Sequence, residues 1–103
     1  MSFKVIYAAK VYEDLQEAVD FYNSREKGLG VRFFKSVKIQ ISQIKSNVYA
    51  FQVRYDDVHC APLKAFPYTV HYRVVPEVAA IYIIAVFCDY RDPKKWDSRS
   101  IQL

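Results

Sequence analysis

Apolar residues recur along this chain with two different periods, and the switch between them comes at Phe51. Phe3-Lys4-Val5-Ile6-Tyr7 reads as a short strand. Behind it Val11, Leu15, Ala18, Val19 and Tyr22 fall at helical spacing, with Glu13, Asp14, Glu17 and Asp20 on the opposite, solvated side. The only two glycines, in Lys27-Gly28-Leu29-Gly30, break this pattern and predict a helix–helix connection. A second helix follows. Its apolar stripe is Phe34, Val37, Ile41 and Ile44, with Arg32, Lys35, Lys38 and Lys45 mostly off it, and it ends near Ser46-Asn47.

From Phe51 the period is two. Val53-Arg54-Tyr55 and Ala61-Pro62-Leu63 flank Asp56-Asp57, which predicts a turn or an irregular strand. Pro67 cannot donate to a ladder, so it marks the start of the next strand. There Tyr68, Val70, Tyr72 and Val74 point one way and Thr69, His71 and Arg73 the other. One face is apolar, while the other carries an imidazole and a guanidinium. Val75-Pro76-Glu77-Val78 predicts a turn, and Ala80 to Phe87 is nearly all apolar, as in the middle of a sheet. The order is β-α-α-β-β-β: an antiparallel helix hairpin packed on one face of a small, mostly antiparallel sheet, class α+β.

The 103 residues fit a single domain, residues 1–103, with 89–103 as a C-terminal tail beyond the last strand. Hydrophobic residues at 52% supply a core and leave little case for disorder. The longest apolar run, Val78 to Phe87, is far short of the ~20 residues that span a bilayer, and Met1-Ser2-Phe3-Lys4 does not open a signal peptide. Two cysteines, Cys60 and Cys88, have no metal spacing and are too few for a disulfide framework, so the expectation is a reduced, cytoplasmic protein. Charge changes the picture more. Residues 1–30 hold four basic and five acidic side chains, a net −1, and residues 31–103 hold eleven and six, a net +5, so the positive charge belongs to the later segment. An anionic partner would meet that part first, although +4 is also an ordinary solubility charge.

Three constellations carry candidate chemistry. His71 and Arg73 could act as acid–base group and phosphate clamp, or simply meet a partner protein or water on the sheet surface. The tail Tyr90, Arg91, Lys94, Lys95, Trp96 and Arg99 mixes basic and aromatic groups suited to stacking and phosphate contact; Trp96 could equally pack back on the sheet. His59-Cys60 lacks a second metal pair, so no zinc site is expected, and Cys88 reads as a small buried hydrophobe that could pair with His71. No phosphate loop and no paired catalytic carboxylates are present.

Asp14-Leu15 with Ala18 and Phe21-Tyr22, Gly28-Leu29-Gly30 with Arg32-Phe33, Phe66-Pro67-Tyr68 with Tyr72-Arg73-Val74, the final apolar strand, and Arg91-Asp92-Pro93 with Trp96 follow in order across nearly the whole chain. No one of these motifs is distinctive. Their order resembles the RelE/ParE superfamily, the toxic halves of bacterial type II toxin–antitoxin, or plasmid stabilisation, systems, and in particular its ParE-like branch.

The resemblance implies a cytoplasmic toxin that binds a cognate antitoxin and inhibits DNA gyrase or another type II topoisomerase, with no cofactor and no membrane partner. RelE-type relatives are metal-independent ribonucleases that cut messenger RNA on the ribosome using lysines and arginines on the strands. Cys60, Pro62 and Thr69 stand at those positions here, and none can replace a cation; Lys64 and Arg73 lie nearby. The sequence also departs from many ParE-like chains, which place histidine at Cys88 and arginine at Tyr90. The enzyme alternative would use His71, Arg73, Tyr90 and Arg91; a further alternative is a degenerate member that only binds antitoxin. In the binding reading the target meets Tyr90, Arg91, Lys94, Lys95, Trp96 and Arg99. The antitoxin fills the helix groove and a sheet edge, anchored on Tyr12, Phe33 and Ile39, which lie off the main stripes.

Overall fold

Five strands and two helices make up the computed structural model, which describes residues 2–90. Strand β1 (Lys4–Tyr7) leads into helix α1 (Ala9–Arg25), and helix α2 (Leu29–Ser46) returns antiparallel beside it. Strands β2 (Val53–Tyr55), β3 (Val58–Pro62), β4 (Tyr68–Val75) and β5 (Ala80–Cys88) follow, with a 3-10 turn at Pro76–Val78 before β5. The sheet order is β1-β5-β4-β3-β2, with β1 parallel to β5 and every other pair antiparallel. The α+β class with a helix hairpin on one sheet face is therefore as the sequence pattern predicts. The strand that pattern does not separate is β2. It forms a hairpin with β3 around Asp56 and Asp57, at φ 42° and 64°. A two-residue hairpin loop needs positive φ at both positions, which aspartate tolerates better than most residues.

The two glycines act differently. Gly28 caps α2 at φ 86°, a left-handed position that favours glycine. Gly30 sits where the helices touch: a Cβ there would come within 2.7 Å of both Val19 O and Asn23 Oδ1. Its backbone N–H donates to Asn23 Oδ1 at 2.8 Å. This contact sets the rotation of α2. From Gly30 the inward positions run to Phe33, Val37, Gln40, Ile41 and Ile44, so the buried aromatic is Phe33 and Phe34 is partly exposed. Phe33 packs among Tyr22, Phe66 and Tyr68 with ring centroids 4.9–5.4 Å away.

On α1 the expectation of a solvated acidic side fails at one position. Asp14 is buried, and its Oδ2 accepts the backbone N–H of Val86 at 3.0 Å. Strand β1 pairs β5 only as far as Ile83, so the next stretch of β5 has no strand partner from β1. A carboxylate from the helix takes over one of those donors.

Strand β5 is apolar because both its faces are covered. Ile81, Ile83 and Val86 join the main core under the helices, whereas Ile84, Ala85 and Phe87 join a second cluster on the outer face with Val58, Tyr55, Cys60 and Tyr82. The ladder slips between His71↔Ala85 and Tyr72↔Ile83, leaving Ile84 as an extra residue on β5. That bulge lets Ile84 and Ala85 both join the outer cluster.

Candidate functional site

The outer face of β3, β4 and β5 carries the candidate acid–base chemistry, and the structure gives it an unexpected interior. His71 is fully buried there, not on a sheet surface open to water. Its Nδ1 lies 2.9 Å from Tyr55 Oη and 3.6 Å from Cys60 Sγ, and its ring meets Phe87 edge to face at 5.1 Å. The cysteine beside His71 is thus Cys60, its ladder partner on β3, and not Cys88, which ends β5 half-buried. Burial pushes the Cys60 thiol up to about 11, against a smaller downward pull from Arg54. It is a neutral thiol at physiological pH, a poor nucleophile and a poor metal ligand.

A cavity of about 230 Å³ opens beside this cluster, lined by Arg54, Cys60, Pro62, Thr69, His71 and Phe87, with Cys88 and Asp89 at one side. Thr69 Oγ1 donates to Asp89 Oδ1 at 2.6 Å. The three positions where RelE-type relatives would carry cations, Cys60, Pro62 and Thr69, converge on this one cavity. It offers a thiol, a proline ring and a hydroxyl already engaged by a carboxylate. Arg73 is not part of it. That side chain is partly exposed, lies 3.9 Å from Asp57, and lines a separate groove at the end of the sheet. His71 and Arg73 therefore line different cavities of the described molecule.

His59 is a structural residue in its present setting. Its ring stacks on Tyr72 at 5.0 Å and 17°, and its Nδ1–H donates to Phe51 O at 2.7 Å, since a carbonyl only accepts. Tyr72 Oη donates to Val48 O at 2.9 Å. Together they pin the α2–β2 connection to the sheet. Among the described residues no group of three or more His, Cys, Asp and Glu side chains could hold a metal ion, and no helix is long and apolar enough to cross a membrane.

On the helix side, Tyr12 is 62% exposed and Ile39 61%, as anchors require, but Phe33 is 0% exposed. Phe33 is core and cannot meet an antitoxin without unfolding the hairpin. The remaining two do not share a surface. Tyr12 lines an apolar groove of about 270 Å³ with Tyr7, Leu15, Phe34, Val37 and Ile41. Ile39 borders a smaller hollow against Leu63, Lys64 and Ala65. Phe34 and Tyr7 are the groove residues that sequence reasoning missed: Phe34 counts as an inward position in a helix stripe read without the Gly30 contact, and Tyr7 reads only as the last residue of the first strand. Of the tail candidates Tyr90 is exposed; Arg91, Lys94, Lys95, Trp96 and Arg99 lie outside the described residues.

The helix hairpin and the five-stranded sheet define the fold of the RelE/ParE toxins. A chain of a chromosomal ParDE toxin–antitoxin system from P. aeruginosa superposes with a TM-score of 0.72 at 17% identity, covering 82% of this chain and 94% of that one. A mutant of E. coli toxin RelE in the free state gives 0.70 at 11% identity, over 100% and 99% of the two chains. A mutant of E. coli toxin RelE in complex with a peptide of the antitoxin RelB gives 0.55 at 17% identity, over 97% and 95%. By sequence, no family profile matches the chain and no curated protein does.

Proposed function

We propose that this protein is the toxin of a type II toxin–antitoxin system, that it works by binding and inhibiting a protein target, a type II topoisomerase such as DNA gyrase, and that a cognate antitoxin silences it. The fold shared with ParDE and RelE toxins supports the toxin role. One observation supports binding over cleavage: the cavity formed at the strand positions of the RelE-type cations holds Cys60, Pro62 and Thr69 beside a buried His71. Metal-free phosphodiester cleavage needs a base, an acid and cationic stabilisation of developing charge in one place. Among the described residues that line this cavity, Arg54 is the one cation.

In this reading the antitoxin lays an amphipathic helix in the groove between Tyr12 and Phe34, and reaches Ile39 only by crossing α2. The target is held by Tyr90 and the basic segment Arg91, Lys94, Lys95, Trp96 and Arg99, types enriched at binding hot spots. The ribosome and messenger RNA belong to the alternative with His71, Arg73, Tyr90 and Arg91 as catalytic groups. Purified protein tested for inhibition of gyrase supercoiling and for cleavage of messenger RNA on translating ribosomes decides between them. Inhibition of supercoiling that antitoxin relieves supports the proposal. Ribosome-dependent cleavage that is lost in His71→Gln, in a variant that still melts cooperatively, overturns it.

A further inference from the structure

A further open groove on the described molecule belongs neither to the outer-face cavity nor to the hairpin groove. It lies at the end of the sheet, where the α2–β2 connection, the Asp56-Asp57 turn, the last residues of β4 and the 3-10 turn come together, and it measures about 640 Å³. Two features distinguish it. The first is exposed apolar surface. Tyr49 and Val53 line it and Val78 follows its Glu77; all three are more than half exposed. Neighbouring apolar side chains left open to water in this way mark interaction surfaces more often than scattered ones do. The second is charge. The groove is lined by Asp57, Glu77 and Arg73, and Arg73 already lies against Asp57. Among the described lining residues one negative charge is left over, on a chain whose formal net charge is +4.

We infer that this groove is a docking surface for a short segment of a partner protein that sets an arginine or lysine against Glu77. Apolar side chains on either side of that basic residue pack on Tyr49, Val53 and Val78. The sign of the leftover charge selects a basic segment over an acidic one. Tyr49 adds an aromatic face on which a guanidinium can stack. The floor is preorganised. His59 and Tyr72 hold the Phe51 and Val48 carbonyls at 2.7 Å and 2.9 Å, so the segment bearing Tyr49 is fixed before any partner arrives. This surface is separate from the groove assigned to the antitoxin, so both could be occupied together, and the inference does not depend on the toxin reading.

The test uses the full chain and two acetylated, amidated peptides, Leu-Arg-Leu-Arg-Leu and its glutamate counterpart Leu-Glu-Leu-Glu-Leu, followed by backbone NMR titration. The arginine peptide is expected to give saturable shifts at Tyr49, Val53, Glu77 and Val78, with a dissociation constant of roughly 1 mM or tighter. The glutamate peptide should give none there. Glu77→Lys should weaken the arginine peptide roughly threefold to tenfold, and Tyr49→Ala by a similar factor. Both residues are exposed, so unchanged amide spectra elsewhere verify the fold. Saturable shifts confined to other surfaces, equal response to both peptides, or no response to Glu77→Lys would each overturn the inference.

Discussion

Single residues fix the phase of this fold, and two of them do so against the apolar pattern. Gly30 brings α2 within contact of the α1 backbone, so Gly30→Ala would force a methyl to 2.7 Å from Val19 O. The expected cost is about 1–3 kcal/mol, the range for overpacking, read as a lower urea midpoint at unchanged slope. Periodicity alone allows the stripe to start at Phe33 or Phe34, since both are apolar. Only the glycine contact selects Phe33, and that contact is not visible without α1 in place. Asp14 is the second case. In sequence it belongs to an acidic helix face, yet it closes a gap in the sheet by accepting the Val86 N–H. Asp14→Ala should cost about 1–3 kcal/mol by orphaning a buried donor, with faster amide exchange at Val86 as the local signature. If Asp14→Ala left both the midpoint and that amide unchanged, the capping role would be wrong.

Among the elements, the strands and helices that alternate or repeat clearly were legible, and what escaped was register. β4 reads from Tyr68 to Val75 in the sequence and in the structure, because Pro67 starts it and strict alternation carries it. Which residue of β3 faces His71 depends on the length of the loop from Leu63 to Pro67, and pattern gives no handle on that. The pairing Cys60↔His71 therefore replaces Cys88 as the neighbour of the imidazole. The slip at Ile84 is equally silent, since an all-apolar strand has no alternation to interrupt. The hairpin groove is where register-free reasoning still predicts function. Tyr12→Ser should weaken antitoxin binding at least about tenfold if Tyr12 is a hot spot. Ile39→Ser should do so less, because Ile39 lies outside that groove. Calorimetric titration of each variant with the antitoxin checks the order. Equal losses would mean the partner crosses α2.

At the scale of the whole molecule, the two faces of one sheet are both cores, and this governs how stability responds to alkali. The outer core buries Cys60, pushing its thiol from an ordinary 9.0 up to about 11. The main core buries Tyr72, pushing its phenol from 10.0 up to about 12, against a contrary pull from the Phe51 backbone. Both groups are neutral when protonated, and both keep their protons in the fold at a pH where the unfolded chain has released them. Stability is therefore complete below the unfolded values near 9 and 10. It falls as pH rises toward 11 and 12, because the unfolded state there binds fewer protons. A tenfold difference in proton affinity between the folded and unfolded chain is worth ~1.4 kcal/mol. Discounting for partial solvent access at Cys60, the fold should lose about 1–3 kcal/mol between about pH 8 and pH 11. Urea denaturation at those two pH values measures it. Cys60→Ala removes one of the groups held protonated by burial, so its decline should be visibly shallower than that of the native chain. Parallel declines in the two proteins would mean that Cys60 is not buried as described, and that the outer face is open to solvent after all.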